Sequence, residues 1–234
     1  MRFSTPLLPA VLIRRYKRFL ADIRFPDGTE ATAHIANPGA MTGLAEPGTR
    51  IWIERNDDPK RKLRYSWQLV DHRTGHFTCV DTSLANRVAA EALAAGHIPE
   101  LAGYDQHRPE VRYGEKSRVD FLLSGEGRRE CFLEVKSVTL SRISGLAQFP
   151  DAVTVRGARH LHDLAQEVHS GNRSVLLFLV MRTDITHAGI ATDIDPAYGA
   201  AFEAATRAGF EAIAYDCVID PEGVTFGERL FVQV

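Results

Sequence analysis

Cysteine is scarce in the chain. Cys79, Cys131 and Cys217 are the three in 234 residues, odd in number, far apart and each inside a strand-like run. That excludes a disulfide framework or a CxxC redox pair and points to buried free thiols. Long apolar runs are missing too, since none approaches the ~18 consecutive residues of a membrane helix. The N-terminal "MRFSTPLLPAVLIRRYKRFLADI" lacks a signal peptide's order of basic start, apolar centre and small-residue cleavage site. A cytoplasmic protein without a membrane partner is expected. Internal repeats and low-complexity linkers are absent, and neither GxSxG nor HExxH occurs. "GEKS" at Gly114–Ser117 has no upstream glycine of a phosphate-binding loop. His72, His76 and Cys79 straddle a turn without a fourth ligand, which argues against zinc.

What is present is ordinary for a globular chain: 44% hydrophobic and 25% charged residues, enough for one large domain or two small ones. The net charge of −2 hides an asymmetry. Residues 1–80 hold 13 Lys/Arg against 8 Asp/Glu, and the remainder holds 15 against 22. Two clusters supply much of the N-terminal excess: Arg14, Arg15, Lys17 and Arg18, then Lys60, Arg61, Lys62 and Arg64. With Tyr16, Phe19, Tyr65 and Trp67 beside them, they could pair with phosphates and stack on bases. A solvated basic surface would have the same spacing.

From residue 10 to about 80 the runs "RFLADIRF", "EATAHIAN", "TRIWIERN", "YSWQLVDH" and "HFTCVDT" alternate partially and are separated by turn residues. Five short strands in so few residues suit a small barrel. The OB-fold, whose open face binds oligonucleotides, is the natural candidate, and an SH3-like barrel gives nearly the same pattern. Beyond residue 80 helices and strands alternate. "LANRVAAEALAAG" reads as a helix, "RPEVRYG", "RVDFLLS" and "ECFLEVKSVTL" as strands, and a helix is expected to start after Pro150 and Asp151 and to stop at Gly171. "SVLLFLVMR" reads as a strand buried on both faces, a helix follows with Asp195 as N-cap and Pro196 in its first turn, and two strands end the chain. The fold class expected is α/β, α+β in the broad sense: a barrel domain over 1–80 and an α/β domain over 81–234.

Within "SRVDFLLSGEGRRECFLEVKSVTL" two apolar strands carry Asp120, Glu134 and Lys136. Side chains alternate along a strand, so Glu134 and Lys136 share a face, and Asp120 can meet them if the strands pair. A buried charge must be paired, metal-bound or neutralised. Two carboxylates on one face repel, and Mg²⁺ (or Mn²⁺), which needs only one or two protein carboxylates, is the simplest relief. A divalent ion activates water towards a phosphodiester, and an ammonium beside it can position that water or stabilise transition-state charge.

These residues resemble the restriction-endonuclease-like superfamily, whose signature is PD-(D/E)xK and whose core runs helix, three strands, helix, strand. Asp120 matches the first carboxylate, Glu134 the second and Lys136 the lysine, while Val119 stands at the proline position. A closer resemblance runs nearly end to end. "RYKRFLAD", "PGAMTG", "EVRYGEKSRVDFLL", "EVKSVTL", "FPDAVTVRGARHL" and "DIDPAY" are similar to the sugar fermentation stimulation protein family. The chain departs from that pattern at Pro38, where threonine is usual, and at Asp81, where asparagine is usual. The resemblance implies an N-terminal OB-like domain joined to a nuclease-like domain, DNA binding, and a link by name to sugar metabolism.

Further candidates surround the motif. Arg156, His160, Asp163 and Glu167 fall at i, i+4, i+7 and i+11, a stripe expected opposite the apolar face of its helix, from which Arg156 and His160 could bind the scissile phosphate. Arg118 would share the face of Asp120 and could pair with it or with phosphate. Glu91 and Glu110 are possible extra acidic ligands, with surface glutamates as the plainer reading. The function expected is a Mg²⁺-dependent phosphodiesterase acting on nucleic acid, with DNA the expected partner. The alternatives are a non-catalytic DNA-binding regulator and, on the family name alone, a sugar-linked structural factor. Oligomeric state, strand number and base preference stay open.

Overall fold

Alternation shapes the first half of the chain. In β1 (Leu8–Tyr16) Ala10 and Leu12 are buried while Val11 between them is exposed, and in β2 (Leu20–Arg24) Ala21 and Ile23 turn inward. β3 (Glu30–His34), β4 (Arg50–Arg55) and β5 (Tyr65–Asp71) complete a barrel. β1 pairs antiparallel with β2 and β4, β2 with β3, and β4 with β5. A parallel pairing that sets Ala33 opposite Tyr65 then joins β3 to β5 and closes the sheet. Closure leaves no open edge among these five strands. Trp67 fills the interior, and its indole N–H donates to the Leu69 carbonyl at 2.9 Å. The computed structural model describes residues 1–114 and 117–233, so Glu115 and Lys116 of "GEKS" lie outside the described residues.

The OB-like barrel is present, but its strands differ from those expected. β1 is not among the five expected strands, and β6 (Phe77–Cys79) is the fifth of them. A register shift between Leu12 and Arg14 breaks the alternation of β1 where its charges begin, which hides the strand in sequence. β6 pairs outside the closed ring, on β5, and Thr78 bridges to Arg182 of the second half.

In the second half α1 (Leu84–Ala94) precedes β7 (Gln106–Tyr113), β8 (Ser117–Ser124) and β9 (Cys131–Val138). Two short strands follow, β10 (Leu140–Ile143) and β11 (Gly145–Phe149), then α2 (Val155–His169) and β12 (Arg173–Val180). β13 (Ile185–Ile190), α3 (Pro196–Arg207), β14 (Glu211–Asp220) and β15 (Gly223–Gln233) end the chain. Among the described residues the sheet order is β10-β11-β13-β15-β14-β12-β9-β8-β7. β12 runs parallel to both β9 and β14, and Ser174 to Val180 are all buried, as a strand covered on both faces requires. α1 packs one face through Val88 and Leu93 with Leu133 and Leu177. α2 and α3 pack the other through Leu161, Leu164, Tyr198 and Phe202 with Phe178. Asp195 caps α3 as expected, accepting the Tyr198 N–H at 3.0 Å. α2 starts later than expected, with Thr154 as its cap accepting from the Gly157 N–H at 2.9 Å.

The two halves are stitched together. The N-terminal ammonium donates to the Val224 carbonyl at 2.6 Å, and Met1 and Leu7 sit in the core under α1. The Phe77 N–H donates to the Thr183 hydroxyl oxygen at 3.0 Å. The three cysteines are free and buried, and burial pushes the thiols up, Cys131 to about 12. Among the described residues no helix is long and apolar enough to cross a membrane.

Candidate active site

β8 and β9 pair over Phe121, Leu122 and Leu123 against Leu133, Phe132 and Cys131. Their ladder stops there, one step before Asp120 would face Glu134, and side chains take over from backbone. Asp120 Oδ2 accepts the Val135 N–H at 2.7 Å, and Oδ1 accepts Asn86 Nδ2 of α1 at 2.8 Å. Glu134 and Lys136 share a strand face, as alternation requires. Glu134 Oε1 accepts from Lys136 Nζ at 2.7 Å and from His160 Nδ1 at 2.6 Å. Its other oxygen, Oε2, is buried without a partner among the described residues.

The two carboxylates differ electrostatically. Burial, then the Glu134 charge, pushes the Asp120 carboxyl up to about 6, against the opposing pull of the Val135 amide and Asn86. Burial also raises Glu134, but the His160 hydrogen bond and the Lys136 ammonium together outweigh it and leave that carboxyl below its ordinary value. The site therefore holds one settled carboxylate and one reluctant one, separated by their partners.

A cleft of about 540 Å³ opens over these groups, between barrel and sheet. Asn86, Asp120, Glu134 and Lys136 line it with Arg156 and His160 of α2, and the barrel contributes Arg18 and residues 37–39. Arg15 builds that barrel wall. Its guanidinium donates to the carbonyls of Arg18, Asn37, Gly39 and Ala40 at 2.9 to 3.1 Å, which ties the β1–β2 turn to the loop after β3. Lys17 and Arg18 in that turn both have positive φ, 47° and 64°, a conformation L-residues seldom adopt in succession. Asp151 closes the loop from the other side, accepting the Met41 N–H at 3.4 Å. It borders the cleft and does not begin the helix.

Several sequence expectations are corrected by this geometry. The stripe of Arg156, His160, Asp163 and Glu167 does not lie opposite the apolar face. His160 is four residues from Leu164, so it shares the buried side, and it is 3% exposed. Asp163 accepts from the Ser117 hydroxyl, and Glu167 from Asn172. Arg118 turns away from Asp120 and donates to the Glu110 carbonyl of β7 at 3.3 Å. Glu110 is exposed, and Glu91 pairs with the N-terminal ammonium at 2.7 Å, so neither joins the cleft lining. Arg14 is engaged by Asp22 at 2.8 Å and lies over the Tyr16 ring. Lys17 is exposed beside Arg18, and Lys60, Arg61, Lys62 and Arg64 sit exposed in the β4–β5 loop, outside the cleft lining. His72 and His76 bond to the hydroxyls of Thr78 and Thr183.

Two contributors escape sequence reasoning. Asn86 leaves one trace, a lone amide in the first turn of an Ala-rich helix, and Arg15 looks like any member of a basic cluster. Of the two departures from the family pattern, Pro38 lines the cleft, and Asp81 accepts from the Ser83 N–H and hydroxyl at the start of α1.

Comparison with known proteins agrees with this architecture. A family model described as the sugar fermentation stimulation protein RE domain matches residues 83–223, and one described as the SfsA N-terminal OB domain matches residues 13–80. Sugar fermentation stimulation protein homologs of Ruegeria sp. (strain TM1040) and Ruegeria pomeroyi are each 57% identical over 230 residues, covering 98% of this chain and 99% and 100% of theirs. The solved structure of Pyrococcus furiosus SfsA in complex with Ca²⁺ is similar with a TM-score of 0.89 and 28% identity, covering all of this chain and 98% of that one.

Proposed function

The chain belongs to the sugar fermentation stimulation protein family, and from that premise and the cleft's geometry we propose a Mg²⁺- or Mn²⁺-dependent phosphodiesterase acting on nucleic acid, with DNA the expected substrate. The observation that carries the reading is Glu134 Oε2, a buried carboxylate oxygen without a donor among the described residues, next to an Asp120 that its surroundings hold partly towards the neutral form. An orphaned charged oxygen in a native core calls for an explanation. A hard divalent cation explains it, because two carboxylates with water in the remaining positions are the usual protein share of a Mg²⁺ site. The Ca²⁺ bound by the Pyrococcus furiosus relative is of the same hard class and supports the choice.

Asp120 and Glu134 would hold the ion, which when bound supplies Lewis acidity to the phosphodiester and lowers the pKa of the attacking water. Asn86 and the Val135 amide orient Asp120. Lys136, 14% exposed at the cleft floor, is placed to turn from Glu134 towards a phosphate that gains charge as water attacks. Arg156 from the helix and Arg18 from the barrel both line the cleft, which suits a polyanion lying between barrel and sheet.

A DNA-binding regulator without turnover is the second reading, favoured by the ion pair that already engages Lys136. Lys136→Ala separates the two. For the enzyme, single-turnover cleavage falls about 10²–10³-fold, while affinity for the same oligonucleotide in Ca²⁺ changes only a few-fold. A lysine that merely anchors phosphate gives the reverse, weaker binding with the saturating rate unchanged.

A further inference from the structure

His160 enters α2 as a residue expected to touch phosphate, yet its ring is occupied on both sides. Nδ1 lies 2.6 Å from Glu134 Oε1, and Nε2 receives the Arg156 Nε–H at 3.3 Å. A carboxylate oxygen can only accept, so Nδ1 carries the proton, and a nitrogen that receives an N–H must present its lone pair, so Nε2 does not. The ring is therefore the neutral Nδ1–H form and has no donor left for a phosphate.

Glu134 gains a fixed orientation from this contact. The terminal torsion of a glutamate is soft and roughly two-fold, so packing alone does not decide which oxygen faces the cleft. Among the described residues Oε1 has two donors and Oε2 none, an unequal split that assigns the oxygens to separate tasks. One donor is Lys136, on a flexible stem and expected to leave for substrate. The other is His160, 3% exposed on a helix that packs against the sheet through Leu161 and Leu164.

We infer that His160 is the positioning residue of the cation site: it holds Glu134 Oε1 when Lys136 moves, leaving Oε2 as the ligand oxygen, while Arg156 locks the tautomer that makes this possible. This rests on the cation site proposed above. Removing an outer partner of a metal-ligating carboxylate costs about 10–100-fold in metal affinity. Lys136→Ala would leave the His160 bond in place, so a cation site should survive in it.

The test is calorimetric titration of the full-length protein with Ca²⁺ alone at pH 8, joined to ¹⁵N imidazole spectra of the metal-free protein. His160→Ala should weaken Ca²⁺ at least about tenfold. His160→Asn, whose amide nitrogen can occupy the Nδ1 position, should restore affinity to within a few-fold of the parent. The parent spectrum should show a protonated Nδ1 and a bare Nε2, and Arg156→Ala, on an exposed side chain, should lose that single form and bind Ca²⁺ several-fold more weakly. A folded His160→Ala with parental affinity, a folded His160→Asn no better than His160→Ala, or an Nε2–H ring in the parent overturns the inference. Should His160→Ala not fold, the Asn and Arg156 variants decide, parental affinity and an unchanged spectrum in Arg156→Ala counting against it. A parent that binds no Ca²⁺ removes the cation site itself, whereas a parent that binds it with an indifferent His160 removes only the positioning role.

Discussion

Above about pH 6 Asp120 carries a charge that burial and the Glu134 carboxylate disfavour, more than the Val135 amide and Asn86 relieve. Its folded pKa lies above its ordinary value, so the stability tied to its proton is full below about pH 4 and is lost as pH rises through about 6. Asp120→Asn has no such proton to lose. Relative to this variant the metal-free parent should lose up to about 3 kcal/mol between pH 4 and pH 7. Urea unfolding in EDTA at intervals across that window measures it, and a constant difference would show that Asp120 is not strained by its charge. Glu134 has the opposite shift and is common to both proteins. At this scale the sequence was informative where a charge interrupts an apolar strand, because alternation alone puts Glu134 and Lys136 together. It was silent on Asn86 and misled on His160, since both depend on which helix side meets the sheet.

Helix α2 shows why that side was misread. The positions 156, 160, 163 and 167 form a true stripe, but the stripe runs beside the Leu161 and Leu164 line, so His160 is drawn into the core. A close approach at Gly157 makes the contact possible. A Cβ there would lie 2.7 Å from Thr154 Cγ2 in the cap of α2 and 3.1 Å from Tyr198 Cε2 of α3, so a side chain would crowd the cap and press on the neighbouring helix. Alanine is a better helix former than glycine by about 1 kcal/mol, yet Gly157→Ala should destabilise the protein by roughly 1–3 kcal/mol because overpacking outweighs propensity. Chemical denaturation decides the sign. A variant as stable as the parent would mean that the two helices part without cost. The inserted β10, β11 and β13 escaped the sequence reading for a related reason: they are four to six residues long, and β11 opens on Gly145 at a φ of 77°.

Across the whole molecule the change of texture near residue 80 and the order helix, three strands, helix, strand were legible, because long periodic segments survive any packing. The closure of the barrel was not, since the β3–β5 pairing joins strands far apart in sequence and β1 conceals its alternation under arginines. Charge was half informative. The N-terminal basic excess is real, but of its two clusters Arg18 reaches the cleft, Arg15 braces the wall behind it, and the Lys60 to Arg64 loop lies elsewhere. Barrel and sheet thus share one cleft lined by Asp120 and Glu134 together with Arg18 and Arg156, and hydrolysis of nucleic acid there is what remains to be measured. The most direct measurement incubates full-length protein with end-labelled single- and double-stranded DNA and RNA, with Mg²⁺, with Mn²⁺ and with EDTA, beside Asp120→Asn. The account predicts cleavage of at least one of these forms that requires the divalent ion and is abolished in Asp120→Asn. Absence of ion-dependent cleavage of every form, or cleavage that persists in the variant, would contradict it.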